Sequence, residues 1–432
     1  MYKFKQFRQQ LIQELKSFSF DHGQHPSQNL TITIAPIVLL ALLKGQNNAS
    51  GNKPILYPLI YWQNKEHTHT LASFGSIEVL NHIPNASDQQ LYLGGLAFQQ
   101  QGEQWPDFPS TCFIRPLMVF QKLDEQWKVI FHFDGNNAID DTIKAVSSLQ
   151  APQSNSLLSL SKFSRQDTPN QQQWAELVEL AIEYKALLPK VVLSRQTELC
   201  FDSNINVWDV MALWQKANIN SFHYVFKFSE KRSFISCSPE RLYSRHHQSV
   251  TTEALAGTAP RGMTANEDQW LKQGLLHDKK IDRENHIVQE FIVASLKQLK
   301  AQVNCSPIQV MQLQNVQHLC VPIKASLPKQ VKDNHLLHSL HPTPAVGGIP
   351  KLSALQFIND NEPYIRGWYA GAVGYISKDS SDFSVAIRSA LIKSNSIKLF
   401  AGAGIVTGSI ASDEWQELDN KIGTILTILN SR

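Results

Sequence analysis

Cysteine is scarce in this chain: its 432 residues hold five, Cys112, Cys200, Cys237, Cys305 and Cys320, dispersed and without CxxC spacing. An odd, scattered set excludes a disulfide framework and a thiolate metal site, and predicts reduced thiols. Long apolar runs are also missing. The longest, ITIAPIVLLALL at 32–43, is broken by Pro36 and is too short to span a bilayer. The opening MYKFKQFRQQLIQELKSF spaces Phe4, Phe7, Leu11 and Leu15 as an amphipathic helix, without the apolar core and small-residue cleavage site of a signal peptide. These absences predict a cytoplasmic protein with no membrane partner. With a net charge of +3 and no basic block or basic-aromatic stripe, nucleic acid is not the expected partner; a small molecule is. No repeat of solenoid length occurs.

What is present reads as globular, with 42% hydrophobic and 9% aromatic residues. The length exceeds one usual core and predicts two large layers or subdomains. Short strands punctuated by turns fill residues 31–150, among them LYLGGLAF (91–98), TCFIRPLMVFQK (111–122) and WKVIFHF (127–133). The Ser-, Gln- and Pro-rich stretch 150–170 reads as a linker or exposed loop. A helix, QQWAELVELAIEYKALL, then leads into a strand headed by Lys190. Strands near 221–228, 232–237 and 248–254, one long helix over 266–300, mixed strands and loops over 310–408 and a closing helix complete the pattern. Strands in runs indicate an α+β protein with antiparallel sheets.

Four segments set a charge where the pattern expects an apolar or tight-turn position. In LPKVVLSRQTEL, Lys190 shares a strand face with Val192 and Ser194. It either snorkels to water from the strand end or is desolvated by a cleft and serves as a base. In FISCSPERL, Glu240 follows an apolar strand and a Ser-Pro turn, so it is either a surface carboxylate or points back over the sheet from a rigid corner. Glu284 in KKIDRENHIVQEFIVASL lies on the apolar stripe with Ile287, Val288, Phe291 and Ile292, which calls for a partner cation, side chain or metal.

In the last helix, SDEWQELDNKIGTILTIL, Ser412 is a candidate N-cap, Glu414 falls on the core face and Glu417 at its edge, four residues before Lys421. Glu414 and Glu417 either complement the helix dipole or join Glu284 in an all-oxygen site suited to Mg²⁺. The preceding Gly402, Gly404 and Gly408 do not have dinucleotide-binding spacing; they allow close approach of a ligand or strand. His335, His338 and His341 spread over different helical faces, and proline ends any helix at His341, so no zinc site is expected.

KVVLSR, SPERL, ALAGTAPRG, RENHIV, LHPTPAVGGIP, RGWYAGAVGYI, VAIRSA and AGAGIVTGSxxxxEWQELDNK follow one another between residues 190 and 421. This ordered set resembles the chorismate-utilising enzymes: isochorismate and salicylate synthases and the large subunits of anthranilate and aminodeoxychorismate synthases. The resemblance implies two large antiparallel sheets packed face to face with flanking helices and a cleft between them. Residues 170–432 would be the chorismate-binding catalytic domain, and residues 1–155 a β-rich portion of the same compact unit.

The resemblance also implies roles. Lys190 is similar to the lysine that isochorismate and salicylate synthases use to activate water at C2 of chorismate. The aminodeoxychorismate branch has a nucleophilic lysine in a KGT motif, where this chain has Ala256, so water is the implied nucleophile and no glutamine amidotransferase subunit is expected. Glu240 matches the acid that protonates the departing C4 hydroxyl. Glu284 and Glu417 match Mg²⁺ ligands, with Glu414 nearby. Arg388 and Tyr369 match groups holding the enolpyruvyl carboxylate. Gly257, Thr258, Gly402 and Lys421 would contact substrate, Ala345 and Val346 would line the ring pocket, and His341 would be a cleft residue. Ala372 departs from a common proline, and SSDFSVAIRSA lacks the usual Gly-Asp-Glu lead. The implied activity is isochorismate synthesis of the menaquinone-pathway type, by length and amino-terminal elaboration. Salicylate synthase, a siderophore-pathway isochorismate synthase and a non-catalytic binding descendant are the alternatives. The absence of an LLES-type element and the presence of Lys190 disfavour anthranilate synthase.

Overall fold

A computed structural model describes residues 2–19, 27–47, 56–134, 139–154, 163–312 and 316–430, and within them twenty strands form one branched antiparallel network with helices against it. The branch point is the strand Thr111–Leu123. It pairs with His69–Leu80 along its length, with Leu91–Leu96 at its start and with Gln126–Asp134 at its end. Pro116, which has no N–H to give, and a register shift between Ser76 and Glu78 opposite it mark the change of partner.

One arm runs from His69–Leu80 through Leu59–Gln63, Phe222–Lys227, Ser233–Ser238, Ser389–Lys393 and Ser396–Val406 to Lys190–Phe201. The other runs from Leu91–Leu96 through Ala372–Ser377, Ser380–Val385, Arg241–His246 and Ser249–Pro260 to Val316–Ser326. The arms face each other as the expected pair of sheets. Trp62 of the first stands edge-on to Tyr375 of the second, centroids 5.0 Å apart, and Arg241 lies over the Phe222 ring at 5.2 Å. The helices Ala265–His277 and Lys279–Gln298 lie against Ser249–Pro260, Ala411–Asn430 against Ser396–Val406, and Val207–Ala217 against Phe222–Lys227 and Ser233–Ser238.

Two of the passages between the arms run side by side. Pro239 and Glu240 link Ser233–Ser238 to Arg241–His246, while residues 386–388 link Ser380–Val385 back to Ser389–Lys393. The two passages are bonded together: Val385 N donates to Glu240 O at 3.1 Å, Cys237 N to Arg388 O at 3.0 Å, and Ser238 Oγ to Val385 O at 2.6 Å.

Three sequence expectations are corrected. The helix expected over 266–300 is two helices, because Asp278 is extended and its carboxylate accepts from Ile281 N at 3.0 Å, capping the second. Within the 150–170 stretch, Phe163–Thr168 is an edge strand on Lys190–Phe201, its Asp167 accepting from Thr197 Oγ1; residues 155–162, and with them the boundary at 155, lie outside the described residues. Ser412 is not a cap: the last helix begins at Ala411, with Ile410 O accepting from Asp413 N and Glu414 N. No helix among the described residues is long and apolar enough to cross a membrane, and all five cysteines are unpaired.

Candidate active site

Lys190 heads its strand, opposite Val406 on one side and Ile349 on the other. It does not snorkel to water: the side chain is 0% exposed and Nζ donates to Glu284 Oε1 at 2.9 Å. The buried lysine and the carboxylate on the apolar stripe are therefore partners. The helix bearing Glu284 is pinned by its neighbour Asn285, whose Nδ2 donates to the carbonyls of Ala254, Ala256 and Leu319 at 3.1–3.2 Å. On the facing strand Gly404 keeps the space open, since a Cβ there would lie 3.0 Å from Glu284 Oε1 and 3.3 Å from Lys190 Cε. Behind Lys190, the unpaired edge of its strand is filled by two side chains. Arg366 Nη2 donates to Val192 O at 2.7 Å, and Glu362 Oε1 accepts from Ser194 N at 2.8 Å. The Thr343–Gly347 turn docks alongside, with Gly347 O accepting from Val192 N and Val346 O from Arg366 Nη1, which sets this turn beside the strand two residues on from Lys190.

Glu240 sits on the first passage between the arms and is 5% exposed. Burial pushes its carboxyl up to about 8, the Glu253 charge adds to this, and Lys65, Lys190 and Arg388 oppose it. The shift favours the protonated form at neutral pH. Arg388, on the second passage, has φ 46°, in the left-handed region that a non-glycine residue rarely occupies and that concentrates at functional sites. Burial lowers its pKa, countered by Glu417, Tyr369 and Glu240, and its Nη2 is buried with no partner. A planar anion would satisfy that donor. The Tyr369 hydroxyl stands against Gly402, 2.8 Å from where a Cβ would be, and burial raises its pKa.

Gly257, at φ +82°, takes up the register shift between Ala256 and Thr258 that lifts this backbone out of the ladder. Thr258 Oγ1 lies 3.1 Å from His318 Nδ1, on the opposite strand. His318 is a site residue that the motif reading missed. Burial drives its ring well below the ordinary value, helped by the charges of Arg388, Lys421 and Lys65, and its Nε2 is buried without a partner. The available signal was a histidine amid the apolar strand VQHLCVPI. Lys421 Nζ donates to Gly402 O at 2.7 Å and pairs with Glu417, whose charge acts on Arg388.

Residues 79–430 match the chorismate binding enzyme family. The chain belongs to that family. It is 30% identical over 436 residues to isochorismate synthase MenF of Haemophilus influenzae, covering 97% of this chain and 96% of that one. It is 42% identical over 274 residues to isochorismate synthase MenF of Escherichia coli, a match spanning 63% of each chain and so under two thirds of that enzyme's length. The solved structure of MenF, the menaquinone-specific isochorismate synthase from Escherichia coli, superposes with a TM-score of 0.86 at 31% identity over 99% of both chains.

In this chorismate-binding enzyme Glu284 and Glu417 flank the same glycine-lined strand, Glu284 at Gly404 and Glu417, through Lys421, at Gly402. Glu414 is 6% exposed on the Glu417 helix. Among the described residues no three of His, Cys, Asp and Glu are gathered closely enough to grip an ion, because Glu284 is turned to Lys190 and Glu417 to Lys421. The donor chemistry, carboxylate oxygens alone, fits a hard divalent cation competing with those two ammonium groups. His341, expected as a cleft residue, lies two residues before the Thr343–Gly347 turn. Its Nε2 is 3.2 Å from Ala97 O, burial lowers its pKa to about 4, and Lys351 and His338 are the charges acting on it. It lines a separate cavity of about 610 Å³ with Gln99, Lys351 and Gln356.

Proposed function

We infer that the protein is an isochorismate synthase of the menaquinone-specific type, which adds water at C2 of chorismate as the C4 hydroxyl leaves. One observation carries this reading: a fully buried lysine and a buried, proton-holding carboxyl sit close enough for Lys190 to act on Glu240, with Ala256 where an enzyme amine would otherwise stand. Lys190, once it has given up its ammonium proton, orients the water and takes a proton from it. Glu240 gives its proton to the departing hydroxyl, so each transfer occurs where charge develops in an allylic substitution with a double-bond shift. Arg388, through its unpaired Nη2, and Tyr369 hold the enolpyruvyl carboxylate, and Gly257, Thr258 and Gly402 keep backbone close to the ring. Lys421 keeps Gly402 and Glu417 in place.

Glu284 and Glu417, with Glu414, would hold Mg²⁺, which when bound supplies positive charge for the ring carboxylate. Water as nucleophile removes the need for an amidotransferase subunit. The unpaired cysteines suit a reducing, cytoplasmic setting.

The test is incubation of the protein with chorismate and Mg²⁺ without ammonia, with products separated and pyruvate assayed. Isochorismate without stoichiometric pyruvate is expected. Salicylate with pyruvate would reassign the chain to the salicylate synthases, and no turnover would leave a binding protein.

A further inference from the structure

The turn between Leu59–Gln63 and His69–Leu80 carries the amino-terminal part of the chain to the acid side of the cleft. Lys65 Nζ donates to Glu253 Oε1 at 2.7 Å, with the two side chains 11% and 12% exposed. The next residue, Glu66, accepts from Arg241 Nη2 at 2.7 Å, and Arg241 adjoins Glu240 in the chain. Glu253 is itself fixed: its Oε1 also accepts from Arg241 N at 3.0 Å, and Cys320 Sγ lies 4.0 Å from Oε2. No step of the reaction uses Lys65 or Glu253. Yet the charged groups facing Glu240 come from four elements: Glu253 on the strand Ser249–Pro260, Lys65 on this turn, Lys190 on its strand and Arg388 on the second passage. Glu253 is the negative one among them.

We propose that the Lys65–Glu253 pair is a positioning device that sets the protonation of the catalytic acid, so that the amino-terminal hairpin governs proton donation at Glu240. The proposal rests on the reading of Glu240 as that acid. A carboxylate beside a carboxyl disfavours its ionisation and an ammonium favours it, so in the intact pair the two influences offset each other. Removal of either partner leaves the other unopposed.

The experiment is the pH profile of kcat/KM for chorismate in E253Q, K65M and the double variant, with thermal unfolding to confirm folding. The amide oxygen introduced by E253Q can still accept from Arg241 N, so this variant should fold; the alkaline limb should move to lower pH by about one unit, because Lys65 then favours the ionised acid. In K65M the limb should move to higher pH by a similar amount, and in the double variant it should return near wild type. A merely structural pair would lower kcat/KM at every pH without opposite displacements. Limbs that stay in place, or move in the same direction in both single variants, overturn the proposal; if one variant does not fold, the sign in the other decides. Full activity in E240Q is a separate outcome that removes the acid assignment itself.

Discussion

In the proposed mechanism Glu240 and Lys190 divide the proton transfers, and each has a direct test. Lys190→Ala and Glu240→Gln are expected to lower kcat by roughly 10²–10⁴-fold, the usual worth of a general base or acid, with unfolding temperatures close to wild type. Unchanged turnover in either would remove that residue from the mechanism. The pH dependence follows from the sign of the shift at Glu240. Its carboxyl is raised to about 8 by burial and must carry a proton to act, so kcat/KM should fall as pH rises through about 8. A profile flat to about pH 9.5 would contradict this. Lys190, Glu240 and Glu284 were legible in the sequence because each breaks an apolar pattern in a way only a partner or a reaction relieves. Glu253 was not, because a single polar residue in a strand looks like an ordinary solvent-facing position, and the signal at His318, a histidine amid an apolar strand, does not by itself mark a site.

At the scale of elements, the site depends on how the helix Lys279–Gln298 is held against the second sheet. Asn285, 1% exposed, gives its amide to three carbonyls of two neighbouring strands, and so fixes the turn that presents Glu284 to Lys190. Asn285→Ala is expected to cost roughly 2 kcal/mol of stability, as buried acceptors lose their donor, and to lower kcat by displacing Glu284. Denaturant unfolding alongside kinetics checks both, and wild-type values in both would show that the helix is held by its apolar face alone. The helix and strand periodicities around these residues were readable. The break at Asp278 was not, since an aspartate within a helical pattern signals a cap only when the chain turns there. The strand Phe163–Thr168 was hidden for a related reason: its exposed Ser164, Arg165 and Gln166 give it the composition of a loop, while pairing to Lys190–Phe201 makes it a strand.

At the scale of the whole molecule, the amino-terminal strands are interior parts of the network. Leu59–Gln63 lies between His69–Leu80 and Phe222–Lys227, and Leu91–Leu96 joins Thr111–Leu123 to Ala372–Ser377. A fragment of residues 170–432 would expose the edges of Phe222–Lys227 and Ala372–Ser377, and is expected to aggregate on expression. A soluble fragment with a cooperative unfolding transition would contradict that. The ordered motifs conveyed the family and the fold class. The branching at Thr111–Leu123 was beyond them, because strand pairing between segments far apart in sequence leaves no local pattern. The paired passages between the sheets have a last consequence, for how such a catalyst can diversify. The passages carrying Glu240 and Arg388 are bonded backbone to backbone, Val385 N to Glu240 O and Cys237 N to Arg388 O, whereas Lys190 arrives separately at the head of Lys190–Phe201. On the proposed roles, the nucleophile side is therefore an exchangeable module: water could be traded for an amine at positions 190 and 256 while the departing group continues to meet the same two passages.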